Sequence, residues 1–305
     1  LTSNFLQRLK TEFLVSDGAM GTQLQERGLP TGYCPEEWNI SHPEVVQAIH
    51  RDYYAAGSDF VETNTFGANR LRLRMHNLSA VLKAGLENRV QEINKKAVEL
   101  ARAVCPSGHY VAGSVGPTGE FLEPIGTLTF DEMVDVFAEQ IIGMVEGGVD
   151  IIVIETMMAV EEASAAVTAA KKHTHLPVIA TMTFELGKSG FKTMMGVTPE
   201  VAVKTLADVG ADALGSNCGK GIDDMIGIIR EMRQHTSLPL LAQANAGLPE
   251  WINGKAVYHE TPEFIRPKVK QLLDSGANIV GGCCGTTPAH IKVIREEVDV
   301  YLERR

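Results

Sequence analysis

Short apolar runs alternate with longer stretches of helical periodicity along the whole chain, and glycines or Thr-Pro helix starts mark the changes between them. Residues 2–10 read as a short amphipathic helix, and 13–22 as a strand entering the glycine turn Asp17-Gly-Ala-Met-Gly-Thr22. Further strands are expected at 57–66, 110–117, 149–157, 177–184, 211–219, 238–247 and 277–284. Helices are expected between and after them at 41–56, 78–104, 129–146, 160–172, 198–209, 222–234 and 261–275, with a last helix opened by Thr287-Pro288.

Eight strand–helix units without a composition break predict one α/β domain over residues 1–305, a (β/α)8 TIM barrel. A doubly wound open sheet is the alternative, but eight even alternations fit closure better. Three strands share a lead-in: Gly147-Gly-Val-Asp150, Val209-Gly-Ala-Asp212 and Ser275-Gly-Ala-Asn278. In such barrels chemistry gathers at the C-terminal strand ends. That rim collects Asp17, Asn64, the turn after Ser114, Glu155, Thr183, Asn217 with Cys218, Asn245, and Cys283 with Cys284.

Composition narrows the function. The 305 residues are 44% apolar, enough for a large core, and the net charge of −10 without a basic run argues against nucleic acid as a partner. No stretch approaches the ~18 continuous apolar residues of a membrane span, and no signal-peptide pattern opens the chain. Five cysteines in such a chain are not a disulfide framework, so a reducing cytoplasm is expected. A start at Leu1 without Met suggests processing, or a module cut from a longer polypeptide.

The sharpest signal is Val280-Gly-Gly-Cys283-Cys284-Gly-Thr-Thr-Pro288, two adjacent thiols where a strand turns into a helix, with a second strand ending in Cys218-Gly219. Neighbouring strands six, seven and eight bring Cys218, Asn245 and the Cys283-Cys284 pair to one sector of the mouth. Three thiolates are soft ligands that select Zn²⁺, and three protein ligands leave the fourth tetrahedral position open. A substrate thiol suits that position better than water, because three thiolates make the centre a poor generator of hydroxide. The implied reaction is attack by the metal-held thiolate on an activated electrophile such as a methyl group. Cys34 and Cys105 read as inert packing, and Met20, Met157, Met158 and Met182 as core filler. Glu155, after five apolar residues, is a paired buried acid or a substrate-binding carboxylate, and Asp17 a turn-former or a ligand contact. His173 and His175 fall at the opposite end of the barrel and read as a solvated pair.

Asp17-Gly-Ala-Met-Gly-Thr22, Glu62-Thr-Asn-Thr-Phe66, Gly116-Pro-Thr-Gly119, Glu155-Thr-Met157, Asn217-Cys-Gly219 and Gly281-Gly-Cys-Cys-Gly-Thr-Thr-Pro288 together resemble the homocysteine S-methyltransferase family. The stretch from Cys34 to Arg70 is most similar to the N-terminal homocysteine-binding module of its cobalamin-dependent methionine synthase branch. The resemblance implies that Cys218, Cys283 and Cys284 bind Zn²⁺ as the catalytic centre, with homocysteine sulfur at the open site. It implies that Asp17, Gly18 and Glu155 hold the amino acid end, Glu155 pairing with the ammonium. Asn64 belongs to the substrate-binding set, as does Asn245, which the resemblance places beside the metal. The implied donor is methylcobalamin, carried by a corrinoid-bearing domain or protein docking at the barrel mouth. A small donor such as S-methylmethionine or betaine is the alternative, although 6% aromatic residues offer little for the cage that betaine calls for. A reading of another class is a phosphate-binding lyase or isomerase, with Gly281-Gly282 as the cradle and Glu155 as base.

Overall fold

Each expected apolar run becomes a parallel strand in the computed structural model, which describes residues 2–77, 85–252 and 255–304. The barrel strands are β1 (Leu14–Val15), β2 (Phe60–Glu62), β3 (Tyr110–Val115), β4 (Ile151–Met157), β5 (Val178–Met182), β6 (Ala213–Cys218), β7 (Leu240–Ala244) and β8 (Ile279–Gly282). The helices are α1 (Thr2–Arg8), α2 (Gly21–Glu26), α3 (Trp38–Ser41), α4 (Pro43–Ala56), α5 (Arg70–Asn77) and α6 (Val90–Arg102) in the first half. They continue as α7 (Phe130–Gly147), α8 (Val160–His173), α9 (Pro199–Asp208), α10 (Ile222–Arg233), α11 (Pro262–Asp274) and α12 (Pro288–Glu303). Thr129, Thr198 and Thr261 start α7, α9 and α11 by accepting N–H bonds from Glu132, Val201 and Phe264.

Hydrogen-bonded neighbours run β1-β8-β7-β6-β5-β4-β3-β2, a nearly closed TIM-type barrel. Side chains stitch the remaining β1–β2 seam. Asp59 gives its N–H to the Val15 carbonyl and accepts the Val15 N–H at 2.8 Å, while Asp17 accepts the Glu62 N–H at 2.9 Å.

The repeated lead-ins explain how the lower end is held. Asp59, Asp150, Asp212 and Asn278 each precede an even-numbered strand and bond by N–H to a carbonyl of the preceding odd one. Their side chains accept the N–H of Val15, Val111, Val178 and Leu240, and each binds a cation from the helix before that odd strand: Arg8, Arg102, Lys171 and Arg233. One apolar layer fills the barrel floor, where Phe5 of α1 meets Phe60 and Tyr110 edge-on at 5.9 and 5.3 Å. A larger one lies between strands and helices.

The expected helix at 78–104 is shorter. Gly85, in the left-handed region at φ 103°, precedes a 3-10 turn at Leu86–Asn88, and α6 starts only at Val90; residues 78–84 of that expectation lie outside the described residues. The helices α2 and α5 and two hairpins on the βα loops, Glu185–Gly187 with Gly190–Lys192 and Glu250–Ile252 with Lys255–Val257, are additions to the expected pattern.

Candidate active site

The C-terminal strand ends surround a cavity of about 250 Å³ lined by Gly18, Met20, Glu62, Asn64, Glu155 and the three cysteines, among others. That volume suits an amino acid; drug- and cofactor-sized pockets run larger, at roughly 300–1,000 Å³.

Cys218, Cys283 and Cys284 converge with all three sulfurs within 4.8 Å of one another. Backbone strain aims them. Cys218 ends β6 at φ 67° and Thr156 follows Glu155 at φ 59°, the positive-φ non-glycine residues among those described, and both stand at this mouth. Gly281 and Gly282 end β8 because a Cβ at either would run into Ser16 or Thr286. The Cys283 N–H then bonds to the Ala244 carbonyl and the Cys284 carbonyl accepts from Ala246, anchoring both cysteines to the end of β7. Without a cation the thiols share charge unevenly: the Cys218 thiol is pushed down by S–H donation from Cys283 and Cys284, whose thiols are pushed up.

The donor set fits zinc. Tetrahedral Zn–S bonds of about 2.3 Å put sulfurs about 3.8 Å apart, and these three lie within 4.8 Å of one another. Beside them Asn245 gives its amide N–H to Gly219 at 2.7 Å, while its buried Oδ1 has no partner.

Glu155 is raised into the cavity by a register irregularity in β4 between Ile154 and Met157. Ser114 donates to it at 2.5 Å, and Asn217 at 3.1 Å. Asn217 also accepts from Thr181 and from the Thr156 N–H, both at 2.7 Å, and its amide lies 3.8 Å from the Cys283 sulfur. It thereby locks the acid and the thiol cluster into one framework. Glu62, at the end of β2, faces Glu155 within hydrogen-bonding reach and accepts from Gln243 at 2.6 Å. Burial raises the pKa of Asp17, Glu62 and Glu155; the charge of Glu155 adds to it for Asp17 and Glu62, and the Cys218 thiolate adds to it for Glu155.

The other expected contacts divide. Asp17 is buried and spends one oxygen on the β1–β2 seam. Gly18 lines the cavity and is held against Thr286, whose hydroxyl would lie 2.6 Å from a Cβ there; the same hydroxyl accepts the Ala19 N–H. Asn64 lines the cavity too, but both its N–H groups are engaged, by the Pro35 carbonyl and Asn39 Oδ1. Met20, expected as core filler, is a lining residue, whereas Met157 and Met182 are fully buried. Cys34 is buried and donates to Glu36, and His173 and His175 are exposed. Glu62, Ser114, Gln243 and Tyr258, whose ring packs on Gly285 beside Cys284, carry no role in the sequence reading. Asn217 is placed on the rim there without one. Their signal is adjacency: Glu62 opens the Glu62-Thr-Asn run, Asn217 precedes Cys218, and Gln243 lies two residues before Asn245.

Comparison with known proteins agrees with this geometry. The family model described as homocysteine S-methyltransferase matches residues 14–298. The methionine synthases of Mycobacterium tuberculosis and Mycobacterium leprae are 33% and 31% identical to the chain over 97% of its length, and the chain spans about a quarter of theirs, 25% in each case. Among solved structures, the metallated form of the homocysteine methyltransferase MmuM from Escherichia coli superposes with a TM-score of 0.76 at 24% identity, covering 94% of this chain and 96% of that one. A methyltransferase from Methanosarcina mazei gives 0.62 at 13%, covering 99% and 98%, a likeness of fold. With a model match from the first strand into the last helix, and three thiols beside a buried carboxylate in an amino-acid-sized cavity, the chain belongs to the homocysteine S-methyltransferase family.

Proposed function

We propose that residues 1–305 form a homocysteine-binding barrel domain that binds Zn²⁺ through Cys218, Cys283 and Cys284 and methylates homocysteine sulfur to give methionine. The observation that carries the proposal is the placement of a three-thiol cluster and the carboxyl groups of Glu62 and Glu155 on one small cavity. Zinc bound there would keep a sulfur in the fourth position deprotonated and nucleophilic at neutral pH.

The chain's own residues do the rest. Glu155, fixed by Ser114 and Asn217, takes the substrate ammonium, and the Asp17-Gly18 turn sets the depth of the amino acid end. Asn245 offers its free Oδ1 beside the cluster, and Asn64 holds the 35–39 segment as one wall. The thiol proton leaves to solvent as the substrate binds as thiolate; when the S–CH₃ bond then forms, the bond from methyl to donor breaks with its electron pair left on the donor.

A methylcobalamin-type donor held by another domain or protein suits the dimensions better than a small donor enclosed with the substrate. The cavity is too small for a corrinoid, and the loops around it carry exposed apolar side chains: Phe121, Ile125, Leu186, Met194, Leu248 and Trp251. Phe66 is the aromatic residue among those lining the cavity, and a betaine cage needs several rings. The phosphate-cradle reading loses ground because carboxylates and thiols line the site, and they repel an anion.

The test is metal content and methyl transfer from free methylcobalamin in wild type, Cys218→Ser and Cys284→Ser. One zinc per wild-type chain is expected, with both zinc and turnover lost in either variant, a fall of at least about 10³-fold. Turnover that survives without bound zinc would overturn the proposal.

A further inference from the structure

Two carboxyl groups, the half-buried Glu62 and the buried Glu155, line the cavity, with Asp17 buried nearby at the β1–β2 seam, and no Lys, Arg or His among the described residues forms an ion pair with any of them. Glu62 and Glu155 face the same cavity within hydrogen-bonding reach of each other, and burial together with the charge of Glu155 makes Glu62 resist ionising. The remaining partners are neutral and directional. Ser114 and Asn217 fix Glu155, while Gln243, itself buried and 3.0 Å from the Ser16 hydroxyl, fixes Glu62. Six of the eight strands or their ends thus contribute to holding two carboxyl groups face to face, with unused acceptor capacity toward the cavity. A fold gains nothing from burying such a pair without a cation, since each carboxylate makes the other harder to ionise. An apolar or amide pair at β2 and β4 would close the floor with less strain.

We propose that Glu62 is a second ammonium-binding residue, which with Glu155 forms a two-carboxylate clamp selecting thiol substrates that carry a free α-ammonium. The inference rests on the proposed function and deepens it by naming what the site demands of its substrate. When the ammonium enters, its charge and N–H donors favour the ionised form of both Glu62 and Glu155, and any proton either one held leaves to solvent. Gln243 keeps Glu62 pointed at the cavity and acts as its positioning residue. A thiol acid without the amino group leaves the carboxyl pair as it is in the empty cavity and gains none of this attraction. The clamp therefore reads the amino group, while the thiol cluster on the other side reads the sulfur.

The experiment compares homocysteine with 4-mercaptobutanoate, the same molecule lacking its amino group, on the zinc-supplied chain by calorimetry and by KM and kcat for methyl transfer from free methylcobalamin. Glu62→Gln is expected to reduce the preference for homocysteine over 4-mercaptobutanoate at least about tenfold, mainly through Kd and KM, with Glu62→Asp recovering part of it. A residue that merely shapes the floor would weaken both ligands alike and leave their ratio unchanged, which would overturn the inference. Homocysteine affinity equal in wild type and Glu62→Gln would overturn it while leaving the functional proposal standing. A folded, zinc-loaded wild-type chain that binds neither thiol would remove both. Thermal melts of the two variants alongside wild type separate lost binding from lost folding.

Discussion

His50 sits on the inner face of α4 with no exposed surface and no hydrogen-bond partner for either ring nitrogen, and burial pushes its pKa down to about 3. The folded protein therefore holds it neutral, while the unfolded chain takes up a proton near pH 6.5. Because the unfolded state binds more protons below that point, stability is fully present above about pH 6.5 and is lost as pH falls toward 3, by up to about 1.4 kcal/mol per pH unit. Urea midpoints followed from neutral to acid pH are expected to fall less steeply in His50→Leu than in wild type; parallel slopes would show that His50 does not set the acid limit. At this scale the cysteines are the legible part of the site, since two adjacent thiols flanked by glycines at a strand end have few other uses. Glu62 and Gln243 are not, because a Glu and a Gln at strand ends carry no mark of facing inward until the barrel closes and sets β2 across from β7. Asn217 hides for the opposite reason: its neighbour Cys218 absorbs the signal, though the Asn makes most of the local bonds.

The four lower-end clamps are the elements' own registration device. Strands of two to seven residues offer few ladder bonds, and each clamp adds one backbone and one side-chain bond between neighbouring strands plus a tie to a helix. Asn278 shows that an amide accepts the strand N–H and the arginine as a carboxylate does. Asp212→Asn is thus expected to cost less than about 1 kcal/mol, losing the part-exposed pair with Lys171 but keeping an acceptor for the Val178 N–H. Asp212→Ala leaves that N–H unpaired and is expected to cost about 1–3 kcal/mol. Equal urea midpoints for the two variants would mean the side-chain bond to Val178 carries no weight. The repeat of Gly-x-Asp before strands is visible in the sequence, yet its purpose depends on a cation drawn from a helix 41 to 51 residues away in chain, which no local pattern displays. The hairpins on the βα loops escape notice for a simpler reason: three-residue exposed ribbons bury too little to impose alternation.

For the molecule as a whole, the proposed function calls for a donor carried on something large, and the mouth offers exposed apolar surface for it. Trp251 is 69% exposed and Ile125 70%, on loops that follow β7 and β3, so apolar surface faces outward on more than one side of the mouth. Large exposed side chains that flank an opening rather than fill it act in docking, where a few aromatic or aliphatic anchors carry most of the affinity. On the proposed function, Trp251→Ser combined with Ile125→Ser should alter delivery of the methyl group without touching the cavity, since neither residue lines it. The measurement is the ratio of two second-order rates of homocysteine methylation, one from a corrinoid carried on its protein module and one from free methylcobalamin. That ratio is expected to fall on the order of tenfold in the double variant, as loss of interfacial anchors dictates. A proportional loss in both rates would mean that the loops shape the substrate cavity, and an unchanged ratio would mean that the module docks elsewhere. The hairpin that carries Trp251 ends at Val257, one residue before the Tyr258 ring that packs on Gly285 beside Cys284. On the proposed function, a module seated on Trp251 would press on the hairpin whose end leads into the wall beside the thiol cluster.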